Sequence, residues 1–432
     1  PMQQGMLFHS LYEQEAGNYI NQMLAQVHGL DVQRFRAAWQ AVVDSHDELR
    51  ANFVSSFGQP LQVIRKHLEV PFSVQDWRGR TDLDAALAAY AEDDRQRGFD
   101  LEGEALLRLT LLRTGSDRWQ LVYTSHHILL DGWSSSRLLG EVLQHYRGEP
   151  VAAPAGRYQD YIHWLQGLDA EAGERFWSEQ LAELEAPTRL ATCFRASGQG
   201  FAEHRHVFAP TVSAQLSDFA RDQRVTLNSV LQAAWMLLLQ RYTGQAGVTF
   251  GATVAGRPAD LPGVEEQLGL FINTLPVAGS PRAEQTVAEW LRQVQALNLA
   301  LREHEHTPLY EVQRWAGWGG EALFDSIMVF ENYPIADALQ QAAPQSLVFD
   351  QVISQEQSHY PLTLAVETGA ALSLSMSYDG RYFDAQAIAQ LVRHFDHLLQ
   401  ALASDAEALL GELPLLDEAE RQHLLHDWNA TD

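Results

Sequence analysis

Two stretches of the chain carry the same order of features. Leu106 to Gly148 reads as a strand, a turn at Thr114-Gly115, a second strand, Asp131-Gly132 and a helix. Leu362 to Leu402 reads as a strand, a turn at Thr368-Gly369, a strand, Asp379-Gly380 and a helix. A chain that repeats one strand-hairpin-helix unit is constrained to two lobes of mixed α and β structure, and a length of 432 residues agrees, being about twice what one hydrophobic core organises. The copies differ at one place. The first has His126-His127 ahead of its Asp-Gly, whereas the second has Ser377-Tyr378 there and reads as a shorter loop.

Around these units the apolar spacing predicts the remaining elements. Val32, Phe35, Trp39, Val42, Val43 and Leu49 recur at helical intervals between Asp31 and Phe53, with Asp31 placed to cap the first turn. Further helices are expected at Asp82–Arg97, Trp133–Arg147, Gln166–Pro187, Thr211–Gln223, Leu227–Tyr242, Thr286–Glu303 and Ala385–Leu402, and strands at Val248–Val254 and Phe271–Val277. The polar stretch Ala196–Gly200 suggests a seam between lobes, with a boundary near 175–195.

Composition narrows function. With 46% hydrophobic and 20% charged residues the chain is that of a folded protein. Its 30 Lys+Arg against 56 Asp+Glu give a net charge of -26, which repels nucleic acid and anionic membranes. Lys66 is the only lysine and no GxxxxGK[ST] loop occurs, so ATP chemistry is not expected. Cys193 is the only cysteine, which excludes an internal disulfide and a multi-cysteine metal site. The longest apolar run, Val230–Leu239, is shorter than the ~18–20 residues of a membrane span. These features and the lack of a leader at the start predict a cytoplasmic protein. Pro1 in place of an initiator methionine and the trailing end predict a segment of a longer polypeptide.

The most specific feature is His126-His127-Ile128-Leu129-Leu130-Asp131-Gly132-Trp133-Ser134. At the end of an alternating strand, neighbouring side chains face opposite ways, so one histidine faces a cavity while the other packs or orients. Histidine suits proton transfer near neutral pH, Asp131 is placed to fold back toward the imidazole or to be held by an arginine, and Gly132 permits a sharp turn. The pairs His394/His397 and His423/His426 sit at helical i, i+3 spacing, and His204 and His206 alternate on an expected strand; no third ligand cluster accompanies them and no metal site is expected.

HHxxxDG resembles the signature of the condensation-domain superfamily of non-ribosomal peptide synthetases, whose HxxxD core is shared with chloramphenicol acetyltransferase. The resemblance covers nearly the whole chain in order. Pro1-Met2-Gln3-Gln4-Gly5-Met6-Leu7-Phe8-His9 resembles the opening motif, and Ser45-His46-Asp47-Glu48-Leu49-Arg50-Ala51-Asn52-Phe53 the second, with Ala51 where threonine is usual. Tyr158–Trp164, Leu268–Pro276, His306–Leu309 and Leu323–Phe330 are similar to later motifs, and Trp428-Asn429-Ala430-Thr431 to the linker into an adenylation domain.

That resemblance implies an α/β fold with mixed sheets, two chloramphenicol-acetyltransferase-like lobes in a V-shaped pseudo-dimer with a tunnel between them. The lobes are expected at 1–180 and 181–415, with 416–432 starting the adenylation linker. It implies an enzyme that forms a peptide bond between a donor thioester and the α-amine of an acceptor aminoacyl thioester. Both substrates would ride on 4'-phosphopantetheine arms of upstream donor and downstream acceptor carrier domains, so the domain, expected to be monomeric when excised, needs no cofactor or metal of its own. His127 is expected at the centre as a base or a positioning group, with His126 packing or orienting and a backbone N–H near Gly132 facing the oxyanion. Asp131 is expected to pair structurally with Arg50, and Trp133, Ser134, Asn273 and Thr274 to line the tunnel. PMQQGMLFHSL, HHILLDGWS and Val329-Phe330-Glu331-Asn332-Tyr333-Pro334 look most like condensation domains joining a D-residue donor to an L-residue acceptor. Epimerisation of a carrier-bound residue and a catalytically silent docking platform are the alternatives.

Overall fold

The computed structural model describes the chain except at residues 1, 13–18, 56–59, 155, 197, 332–338, 341, 345, 370, 417–419, 421 and 423–432. Asn332, Tyr333, Pro334, His423, His426 and the tail Trp428-Asn429-Ala430-Thr431 therefore lie outside the described residues. The strands in chain order are β1 (Ile20–His28), β2 (Ala51–Val54), β3 (Leu61–Ile64), β4 (Phe72–Asp76), β5 (Leu107–Arg113), β6 (Arg118–His126), β7 (Phe201–Val207), β8 (Val248–Val254), β9 (Asn273–Gly279), β10 (Ser326–Glu331), β11 (Val348–Gln355), β12 (Leu362–Thr368) and β13 (Leu372–Asp379). The fold is mixed α/β, with one sheet in the order β11-β1-β6-β5-β4, a second in the order β7-β13-β12-β10-β8-β9, and a small β2-β3 pair.

The chain divides into two compact units, Pro1–Leu168 with Ala255–Ile272 and Tyr333–His359, and Asp169–Val254 with Asn273–Asn332 and Tyr360–Asp432. A single cut between 180 and 181 does not reproduce this division, because two later segments return to the first unit. The physical reason is pairing: β11 hydrogen-bonds to β1, and residues 255–272 are tied to the loop after β6.

In the first unit the helices are α1 (Met2–Tyr12), α2 (Val32–Ser45), α3 (Leu83–Arg97), α4 (Gly132–Arg147) and α5 (Tyr158–Gln166). The Asp31 carboxylate accepts from the Gln33 and Arg34 N–H groups and starts α2. That helix stops at Ser45 rather than running to Phe53, because Arg50 turns back on its end. The guanidinium donates to the carbonyls of Val43 (2.8 Å), Asp44 (2.6 Å) and His46 (3.3 Å), which the last turn leaves without helical donors. Period-2 alternation then covers the sheet on both faces: Leu111 and Leu121 pack with Trp39, Val42, Leu138 and Val142 of α2 and α4, while Leu112 and Val122 pack beneath Ala91 of α3.

The second unit holds α6 (Ala170–Gln180), α7 (Pro210–Asp222), α8 (Leu227–Thr243), α9 (Val287–Arg302), α10 (Leu309–Trp315) and α11 (Ala385–Ser404). Val230–Leu239 forms the buried middle of α8, which α9 and α11 pack against, so it is apolar except at Gln232, whose Oε1 accepts from the Asn298 amide (2.8 Å). Among the described residues no helix is long and apolar enough to cross a membrane.

Both sheets contain one four-strand arrangement. In β1-β6-β5-β4 and in β7-β13-β12-β10 the first two pairings are antiparallel and the third parallel. The repeats correspond as strand, strand, helix: β5-β6-α4 and β12-β13-α11. Their loops are equally long, since residues 127–131 separate β6 from α4 and residues 380–384 separate β13 from α11. The shorter loop expected for the second copy is therefore corrected. Asp131 and Asp384 are the equivalent helix caps, accepting from Ser134 N–H and Ala387 N–H, and Asp379-Gly380 stands where the first copy has His126-His127.

Candidate active site

β6 ends beside β1, with His126 opposite Ile20, and the chain then turns through His127-Ile128-Leu129-Leu130 into Asp131. Ile128, Leu129 and Leu130 are buried, so the loop's polar groups need partners inside the protein. They find them. His126 N–H donates to Leu106 O (2.9 Å), His127 N–H to Tyr19 O (2.7 Å), Leu129 N–H to His126 O (3.2 Å), and Ile128 O accepts from the Gln3 amide (3.0 Å).

The two histidines are held differently. His126 is buried, and its Nδ1 accepts the Ile128 N–H at 3.1 Å, which leaves the proton of the neutral ring on Nε2. His127 is half-buried, and its Nδ1 lies 2.8 Å from the Leu130 carbonyl. A carbonyl only accepts, so Nδ1 carries the proton and Nε2 of the neutral ring keeps its lone pair. The Asn21 amide lies 3.4 Å from the same Nδ1, and its buried Oδ1 has no partner among the described residues. The two ends of an amide are nearly isosteric, so the orientation that turns Oδ1 toward His127 satisfies both groups and gives Nδ1–H a second acceptor.

Burial, and then the adjacent His127, push the His126 pKa down to about 3. A histidine of the unfolded chain protonates near ~6.5. Between these values the unfolded state binds the extra proton, so this group's stabilisation is complete above ~6.5 and is lost as pH falls toward 3. Urea unfolding should therefore lose about 2–3 kcal/mol from this residue between pH 6.5 and 4.5, and His126→Gln should flatten that slope. Equal slopes in the two proteins would contradict the assignment.

Asp131 is buried and fully engaged. Its oxygens accept from Ser134 N–H (2.8 Å) and Phe271 N–H (3.0 Å) and lie 3.3 and 3.4 Å from a terminal nitrogen of Arg257. Arg50 is not its partner. That guanidinium is spent on the end of α2, on Arg65 O (3.0 Å) and on the Asp47 carboxylate (2.7 Å). Arg257 also donates to the carbonyls of Val264 (2.6 Å) and Gln267 (3.1 Å) and to Ser134 Oγ (2.9 Å), and stacks 4.0 Å from the Phe271 ring centroid. The chain reaches Arg257 through Gly256, whose φ is +60° and where a Cβ would lie 1.8 Å from Phe271 O, so only glycine fits. Arg257 carries no periodic signal; its place between Gly256 and Pro258 is the only local hint that the backbone there is specified.

The other expected site residues separate. Ser134 is fully buried, with its Oγ bridging the carbonyl (2.8 Å) and N–H (3.1 Å) of Gly269, so it is a brace rather than a lining residue. Trp133 is half-buried and its indole N–H donates to Glu265 O (3.0 Å). Gly132 opens α4 without a positive φ, so no sharp turn requires it; among the described residues, a Cβ there would meet no atom within 4 Å beyond its chain neighbours and its own helix backbone. Its N–H lies in the first helical turn, which has no intrahelical acceptor. Asn273 and Thr274 are buried at the start of β9 in the second unit, with the Asn273 amide committed to the carbonyls of Glu305 (2.9 Å) and Thr307 (2.7 Å). Glu48, buried near α5, accepts Tyr158 N–H (3.0 Å), and burial raises its pKa. Among the described residues no group of three or more His, Cys, Asp or Glu is arranged to hold a metal.

A family profile described as the condensation domain matches residues 1–425. One of the linear gramicidin synthase proteins of Brevibacillus parabrevis is 38% identical over the whole chain, which covers 9% of that protein, and chondramide synthase of Chondromyces crocatus is 38% identical over 95% of the chain, which covers 11% of it. The chain thus spans about a tenth of these relatives' length. Among solved structures, a four-domain nonribosomal peptide synthetase bound to AMP and glycine matches with a TM-score of 0.83 at 18% identity, covering 97% of this chain and 34% of that one. The starter condensation domain of rhizomide synthetase matches at 0.80 and 21%, covering 96% of each. With the HHxxxDG loop in place, these likenesses assign the chain to the condensation-domain family of non-ribosomal peptide synthetases, the enzymes that form the peptide bonds of those products.

Proposed function

We propose that His127 is the working group of this domain and that its Nε2 meets the α-amine of an acceptor aminoacyl thioester. The observation that carries this reading is the hydrogen bond from Nδ1–H to Leu130 O, which fixes the neutral tautomer whose free lone pair is on Nε2. Condensation domains act on carrier-bound phosphopantetheinyl substrates. In the reaction the amine nitrogen attacks the donor thioester carbonyl, the C–N bond forms, the C–S bond breaks, and the proton lost by the amine leaves with the thiol of the donor arm. A reference α-amine titrates near ~7.7–8.0, so modest help suffices: Nε2 accepts the proton or holds the lone pair on line. The Gly132 N–H, in the first turn of α4 and so without an intrahelical acceptor, is the proposed donor to the developing oxyanion.

The same reading places a donor carrier upstream and an acceptor carrier downstream, next to an adenylation domain in a longer cytoplasmic synthetase. The form of the opening segment, of HHILLDGWS and of Val329-Phe330-Glu331-Asn332-Tyr333-Pro334 in the sequence supports a donor ending in a D-residue and an L-aminoacyl acceptor. The test is to load excised carriers with donors ending in D- or L-residues and with an L-aminoacyl acceptor, add the chain, and follow each carrier by intact-mass spectrometry. Faster transfer of the D-donor mass to the acceptor is expected. Equal rates or an L preference would overturn the subtype. No transfer, with inversion of the carrier-bound residue on chiral analysis, would mean epimerisation, and neither change would mean a docking platform.

A further inference from the structure

Tyr19 is one of three described non-glycine residues with a positive φ, at +60°, a conformation that costs an aromatic residue and persists only where its surroundings impose it. Its surroundings are the active-site loop and a distant segment of the same unit. The Tyr19 carbonyl accepts the His127 N–H at 2.7 Å, and its own N–H donates to Gln357 O at 3.2 Å. The side chain is buried, with its hydroxyl 2.6 Å from Nδ1 of His359 and its ring 6.4 Å from that of His126 and 5.6 Å from that of His359. One residue thus sets the backbone of His127 from a strained conformation that segment 357–359 pins at both its N–H and its hydroxyl.

We propose that Tyr19 and His359 are positioning residues for His127, the phenol-imidazole bond holding the Tyr19 carbonyl where it fixes the His127 backbone. This rests on the reading of His127 as the working group. On this proposal the two act through the Tyr19 main chain, where a small displacement of the His127 imidazole lowers the rate.

The test uses the chain with loaded carriers in single-turnover transfer. Tyr19→Phe and His359→Ala should each slow transfer about tenfold with carrier affinities unchanged and, each removing one partner of a buried hydrogen bond, should lower the thermal midpoint by only a few degrees. His359→Asn, which keeps an acceptor near the Nδ1 position, should restore most of the rate. The Tyr19→Phe/His359→Ala double variant should be no slower than either single one, since the two act as a unit. In a His127→Ala background, followed over hours with enzyme in excess, Tyr19→Phe should have no further effect. As a second readout, amide hydrogen exchange at His127 should accelerate in Tyr19→Phe while the core of β6 stays protected. An equal slowing in the presence and absence of the His127 imidazole, or unchanged rate and exchange in Tyr19→Phe, would overturn the inference while leaving the reading of His127 intact. A His127→Ala protein at the wild-type rate would remove both.

Discussion

Asp131→Ala should destabilise the first unit by about 3–5 kcal/mol, the range for removing one partner of a buried ion pair. The substitution leaves the Arg257 guanidinium without its carboxylate and strips the acceptor from the Ser134 and Phe271 N–H groups. Three connections fail together: the cap of α4, the ion pair, and the attachment of residues 255–272. Asp131→Asn keeps an acceptor but loses the charge and should cost less, about 1–3 kcal/mol. The double variant Asp131→Ala/Arg257→Ala should fall well short of the sum of the single losses, because each single variant already breaks the same pair. Urea unfolding followed by circular dichroism reads all of these. Activity should fall too, since Leu130, whose carbonyl fixes the His127 tautomer, is bonded directly to Asp131. An Asp131→Ala protein with the wild-type midpoint would contradict the structural role.

His127→Ala should leave the fold intact and slow peptide-bond formation about 10²–10⁴-fold if Nε2 takes the proton in the transition state. The side chain is half-buried and, among the described residues, hydrogen-bonds only at its Nδ1 edge, to Leu130 O and to Asn21, so truncation removes little packing. Two roles for the ring separate on substitution. His127→Gln offers a hydrogen-bonding group but no base: recovery of most of the rate points to positioning, and no recovery to proton transfer.

How much of the fold and the site is legible in the sequence follows from how local each signal is. The His-His-Asp-Gly loop, the cap at Asp31, and the helix in which Val230–Leu239 is buried are written within a few residues, and the structure has them. The strand expected at Phe271 starts instead at Asn273, because the Phe271 N–H is taken by the Asp131 carboxylate, a partner 140 positions away. β1 escapes a periodicity reading: it lies between β6 and β11, largely buried, and so lacks the alternation of a half-exposed strand. β11 escapes it for the opposite reason, being an edge strand with most of its residues exposed, so that its Val, Phe and Ile do not follow a buried face. The Asp-Gly pairs misalign the two repeats because only strand pairing shows where β6 and β13 end. A motif marks Arg50 and not Arg257 as the Asp131 partner, whereas the geometry that spends the Arg50 donors on α2 is tertiary.

Whether the His127 side of this loop forms the peptide bond is decided by single-turnover transfer between loaded donor and acceptor carriers, comparing wild type with His127→Ala at matched fold. The donor mass should move to the acceptor carrier in the wild type and at least about 100-fold more slowly in the variant. Transfer at comparable rates in both proteins would contradict it.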